Sequence, residues 1–137
     1  MQSAKSLRVY HAAEELAVQV YELAKLLPAE ERFALSQQLR RSAISIGSNI
    51  AEGCGRDSDA ELSRFLRIAL GSATELEFQL RIAIRLGLLG PSLSEKAMSS
   101  CLTVQRMLTR LLVAIRPATA ASRGRPKADE PKAEGRR

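Results

Sequence analysis

The chain has 137 residues, 45% of them hydrophobic, only 4% aromatic, with no tryptophan and a formal net charge of +6. That length and apolar content fit one domain with a real core and exclude a chain disordered throughout. The abundance of Leu, Ile and Ala favours helices over sheets.

The first residues, MQSAKSLRVYHAAEE, have their apolar positions broken by Lys5, Arg8, His11 and Glu14, so they contain no signal-peptide core. Val9, Ala13, Leu16, Val20, Leu23 and Leu27 then recur at alternating steps of four and three, the spacing of one stripe along a helix. Pro28 ends this first helix and can open the second, with Glu30 and Glu31 at its positive end. The second stripe is Leu35, Leu39, Ala43, Ile46, Ile50 and Gly53, and Gly53 and Gly55 are expected to bracket a tight connection. Ser58 with Glu61 predicts a capping box for a third helix, whose stripe runs Leu62, Leu66, Ala69, Ala73, Leu76, Leu80, Ala83 and Gly87. Gly87 and Gly90 stop it. Ser92 with Glu95 predicts a second capping box, and Ala97, Cys101, Val104, Leu108, Leu111 and Ile115 form the fourth stripe, ended by Pro117. Four helices with short connections predict an all-α, antiparallel, up-down-up-down four-helix bundle over residues 1–116. Residues 117–137 hold three prolines and no large apolar side chain, which predicts a disordered basic tail.

Cys54 and Cys101 form no C-x-x-C pair and read as reduced core residues. No apolar run approaches the length needed to span a membrane, so a cytoplasmic protein without a membrane partner is expected. The second helix carries Ile44 and Ala51 outside its main stripe, and the fourth adds Met98, Leu102 and Leu112. Extra apolar faces of this kind predict a homo-oligomer.

A polar seam is expected between the second and third helices. Arg41, Ser45, Ser48 and Glu52 share a narrow face with Asn49 at its edge, and Arg64, Gly71 and Glu75 lie along one stripe with Ser72 beside it. Folding the helices about residues 54–57 sets Glu52 near Arg64 and Arg41 near Glu75, with Gly71 allowing close approach. Ion pairs that fix register explain the seam better than chemistry does. A di-iron bundle needs carboxylates on four helices and two Glu-x-x-His motifs, and the only histidine, His11, has no such partner. The same isolation leaves a nucleophilic triad without its base. Neither an enzyme nor a cofactor is expected.

The stretch PAEERFALSQQLRRSAISIGSNIAEGCGR, followed by RFLRIALGSATELEFQLRIAIRLGLL, resembles the four-helix-bundle proteins encoded in intervening sequences of bacterial 23S ribosomal RNA genes, also labelled ribosomal protein S23. The resemblance runs from about Leu7 to Ile115 and rests on the S-I-x-x-N-I-A-E-G element (Ser45 to Gly53) and the G-S-x-x-E-L element (Gly71 to Leu76). It implies an antiparallel bundle assembling into a homopentameric ring. A related branch, the accessory variability protein of diversity-generating retroelements, implies nucleic acid and a reverse transcriptase as partners. Gly47 stands where proline is frequent, and Leu70 where arginine is frequent, which weakens any basic surface carried over from relatives.

Three places could contact the phosphates of RNA or DNA. Arg40 and Arg67, with Arg81 and Arg85, are expected as free surface charge, whereas Arg41 and Arg64 are expected to pair internally. The tail segment Arg123-Gly124-Arg125-Pro126-Lys127 resembles an AT-hook core, in which Arg123, Arg125 and Lys127 would lie in a narrow minor groove. A merely solubilising tail has the same composition. The leading expectation is a nucleic-acid-binding or adaptor oligomer. The alternative is a protein–protein scaffold.

Overall fold

The four apolar stripes close into one core. The computed structural model describes residues 4–123, with side chains from 6 to 115. It contains α1 (Ala4–Ala24), a 3-10 turn (Ala29–Glu31), α2 (Leu35–Cys54), α3 (Asp59–Arg85) and α4 (Pro91–Arg123), and no strand among the described residues. From Val9 through Leu111 the stripe residues are buried, apart from Leu35 and Gly87, and Ile115 packs at the margin. Each helix therefore buries one side, which is where most helix stability originates.

The helices are arranged cyclically: α1 packs on α2, α2 on α3, α3 on α4, and α4 back on α1. Their directions alternate. Near one end Gly53 meets Phe65, midway Ser45 meets Ser72, and further on Gln38 faces Gln79, so α2 and α3 run antiparallel. Gly47 against Ala13 and Arg40 against Tyr21 show the same reversal between α1 and α2.

The helix ends follow local chemistry, sometimes differently from expectation. Pro28 opens the 3-10 turn and not α2, which begins seven residues later at Leu35. Ala34 offers no capping side chain. The Glu31 carboxylate instead accepts the Leu35 N–H at 3.4 Å. Ser58 caps α3 by accepting the Glu61 N–H at 3.1 Å, but the Glu61 carboxylate turns to Arg64, so the reciprocal half of the box is not made. Gly87 ends α3 with a φ of 68°, conformational space that a Cβ disfavours. The Leu88 N–H then reaches back to the Ala83 carbonyl and the Gly87 N–H to that of Ile84, a Schellman closure. The expected Ser92–Glu95 box does not form: α4 starts at Pro91, a position that needs no N–H, and Ser94 donates back to the Gly90 carbonyl at 2.8 Å. Pro117 does not end α4, which continues to Arg123. Proline removes one helical bond, to the Val113 carbonyl, and Val113 lies on the exposed side where water can take that role.

Candidate nucleic-acid interface

Two elements of the sequence converge at the α2–α3 contact. The Ser45 and Ser72 hydroxyls are 2.8 Å apart, and the Asn49 amide donates to the Ser45 hydroxyl at 3.1 Å and to its carbonyl at 2.8 Å. The polar seam is thus present, but hydroxyls and an amide build it in place of the expected charges. Glu52 pairs with Arg56, in the turn just beyond the end of α2, at 2.7 Å, and Arg64 pairs within α3 with Glu61 at 3.3 Å, so the cross-helix pair Glu52–Arg64 is absent. Arg56 and Arg64 instead lie over the Phe65 ring, at 5.0 and 4.4 Å from its centroid. Short i,i+3 and i,i+4 pairs need no large rotation of long side chains, and the ring gives both guanidinium groups a flat apolar surface.

The close approach expected at Gly71 occurs at Gly53. A Cβ at Gly53 would stand 2.9 Å from the Phe65 Cβ and 3.2 Å from Leu62 Cδ1, whereas nothing lies within 4 Å of a Cβ at Gly71. Gly71 sits on the outer side of α3, so its missing side chain leaves that surface smooth.

Arg41 and Glu75 come together in the expected register, yet no ion pair closes between them. They border a polar pocket of about 280 Å³ with Gln38, Ser42, Ser45 and Gln79. The spacing of Gln38, Arg41, Ser42 and Ser45 at i, i+3, i+4 and i+7 was the available signal for this polar face.

On the outer face of α3, Arg67 and Arg85 are exposed and make no ion pair among the described residues. They lie about five turns apart, hence on one side of the helix and about 27 Å from each other. Arg81 is not free: Glu77 accepts from it at 2.7 Å. Arg40 is also engaged, donating to the Ser36 hydroxyl and approaching the Tyr21 ring at 5.9 Å from its centroid. Arg123, Arg125 and Lys127 fall outside the described side chains.

The α3–α4 contact is organised by the Ala73 carbonyl, which accepts from the Cys101 thiol and the Gln105 amide, each at 3.3 Å. Gln105 also donates to Glu77 at 2.9 Å. That bond, and secondly Arg81, hold the Glu77 carboxyl below the ordinary carboxylate range. Burial pushes the Cys101 thiol up to about 11, with the Gln105 bond opposing. Cys101 is fully buried and Cys54 half-buried, and neither is in a disulfide. A thiol reagent at about pH 8 is therefore expected to titrate one cysteine in the native protein and both in denaturant; two fast-reacting thiols without denaturant would contradict this burial. His11 is exposed, 3.5 Å from Glu14. Among the described residues no three His, Cys, Asp or Glu side chains cluster as a metal site requires. No helix among them is long and apolar enough to cross a membrane.

Residues 5–110 match the family described as 23S rRNA-intervening sequence protein. The crystal structure of a protein of unknown function from the S23 ribosomal protein family of Bacteroides thetaiotaomicron VPI-5482 is similar to the chain, with 31% sequence identity and a TM-score of 0.73. The match covers 79% of this chain and 97% of that one. No curated protein matches.

Proposed function

The chain belongs to the 23S rRNA-intervening sequence protein family, and from that premise we propose that it is a non-enzymatic, oligomeric nucleic-acid-binding protein that lays RNA or DNA along the outer face of α3. The observation that carries this reading is the pair Arg67 and Arg85, exposed, unpaired and on one side of one helix. Guanidinium groups so placed meet phosphates several nucleotides apart along one strand, and phosphate contacts supply most sequence-independent affinity. Arg81 joins them at the cost of its bond to Glu77, and Arg123, Arg125 and Lys127, in a basic extension over residues 117–137, add further contacts. The isolated His11 and the protonated Cys101 support a role in binding over one in catalysis.

Self-association multiplies these contacts. The homopentameric ring implied by the family resemblance is the assembly we propose. Ile44 and Ala51 border a groove with Tyr10, Ala17 and Gly47 on the α1–α2 side, an apolar surface suited to a neighbouring copy.

Fluorescence anisotropy with single-stranded RNA tests the reading. Affinity should fall on the order of 10- to 100-fold between about 50 and about 200 mM salt, and the Arg67→Ala, Arg85→Ala double variant should reduce the salt slope by about 1.4. Salt-independent binding, or an unchanged slope in the double variant, would refute it. Sedimentation of the same sample should show a species heavier than the 15.0 kDa monomer.

A second reading, a protein–protein scaffold, is favoured by Phe78 and Leu86, 63% and 65% exposed, which with Ile84 and Met98 make an apolar groove between α3 and α4. Large exposed apolar side chains flanked by arginine are typical of protein interfaces.

A further inference from the structure

The α2–α3 pocket has an unusual deficit. Of its six lining residues, only Ser45 uses its side chain in a hydrogen bond; Gln38, Arg41, Ser42, Glu75 and Gln79 make no side-chain hydrogen bond or ion pair among the described residues. Two of these are deeply placed: Ser42 is 5% exposed and Gln79 7%, and the Gln79 Oε1 is buried without a partner. Buried polar groups are normally satisfied, because leaving them unbonded is costly. A cation and an anion also stand on opposite walls without closing on one another. This set of groups is complementary to a ligand presenting acceptors on one edge and donors on the next.

We infer that this pocket receives an unpaired guanine base of a single-stranded RNA, an inference that rests on the nucleic-acid reading above. Guanine carries O6 and N7 side by side as acceptors, which a guanidinium such as Arg41 meets with two N–H donors. Its Watson–Crick edge carries N1–H and N2–H₂ as adjacent donors, which the Glu75 carboxylate meets with two oxygens. Adenine turns a ring-nitrogen lone pair toward the carboxylate and an amino group toward the guanidinium. Uracil and cytosine lack the two adjacent donors. Ser42 and the two glutamine amides, each both donor and acceptor, serve the remaining edge atoms and the ribose hydroxyl. Glu75 is about 80° around α3 from the line of Arg67 and Arg85. A strand held by those arginines therefore passes beside the pocket, and one of its bases can turn into it. The phosphate contacts then supply affinity, and Arg41 and Glu75 supply the choice of base.

The test uses the full chain and short oligouridine probes carrying one central guanosine, inosine or adenosine. The guanosine probe should bind roughly 10-fold tighter than the adenosine probe, with inosine, which lacks N2–H₂, between them. Glu75→Gln and Arg41→Ala should each erase that preference. Both side chains are exposed, and circular dichroism checks that the variants fold. Equal affinity for the guanosine and adenosine probes, or a preference surviving both variants, overturns the inference while leaving the nucleic-acid reading intact. If no probe binds, guanosine monophosphate and adenosine monophosphate are titrated alone and followed by NMR. Saturation by the guanine nucleotide that Arg41→Ala abolishes then supports the pocket without the strand, and its absence removes the pocket as well.

Discussion

Leu76→Ala is expected to lower the free energy of unfolding by about 3–5 kcal/mol, the range for truncating a fully enclosed leucine. Leu76 is completely buried in the middle of α3, within the core to which all four helices contribute. Its removal forfeits both the transfer of the lost methyl groups out of water and the dispersion contacts of the walls left facing the gap. Small domains hold only about 5–15 kcal/mol in total, so the variant should be near the edge of folding at ambient temperature. Urea titration at fixed protein concentration should show a lower midpoint with an unchanged slope, since the surface exposed on unfolding is nearly the same. Phe78→Ala, three-fifths exposed on the same helix, should shift stability by less than about 0.5 kcal/mol in the unassembled chain. A loss below about 1 kcal/mol for Leu76→Ala would mean that the α3 stripe is not the bundle's core.

Two glycine-to-alanine changes should act with opposite signs. Either exchange favours the helix by up to about 1 kcal/mol, because alanine loses less backbone entropy than glycine. At Gly71 nothing opposes that gain, since nothing lies within 4 Å of the new methyl group. Gly71→Ala should raise stability by about 0.5–1 kcal/mol. At Gly53 the new methyl group would meet the Phe65 Cβ at 2.9 Å and Leu62 Cδ1 at 3.2 Å. A Cβ moves only with its backbone, so α2 and α3 must separate, and overpacking of this kind costs about 1–3 kcal/mol. Gly53→Ala should therefore be net destabilising, with melting temperatures of the two variants separated by about 5–10 °C. Equal melting temperatures would show that the helices do not approach at Gly53.

The alternation of apolar residues made the bundle legible in advance, because burial of one stripe per helix leaves a direct periodic trace. The ends were less legible. Pro28 and Pro91 are both compatible with a helix start, and which role each takes depends on whether a later side chain, here Glu31, can cap the next helix. The polar seam was readable in place but not in partnership. Glu52 and Arg64 do stand near the same end of α2 and α3, yet each has an opposite charge three or four residues away along the chain, and the nearer partner prevails. Arg41 has no such neighbour bonded to it and remains open. The unbonded state of Ser42 and Gln79 depends on the distance between two helices, which no spacing along one of them encodes.

The Ala73 carbonyl has a mechanical consequence. Because Cys101 and Gln105 both anchor on it, and Gln105 also holds Glu77, sliding α4 along α3 by even one residue would break three bonds together. On the opposite side of the bundle Ala13, Ala17, Ala43 and Gly47 meet through small, smooth surfaces, where a Cβ at Gly47 would lie 3.9 Å from the Ala13 methyl group, and the Arg40 guanidinium approaches the Tyr21 ring nearby. The α3–α4 contact is therefore expected to resist sliding more than the α1–α2 contact.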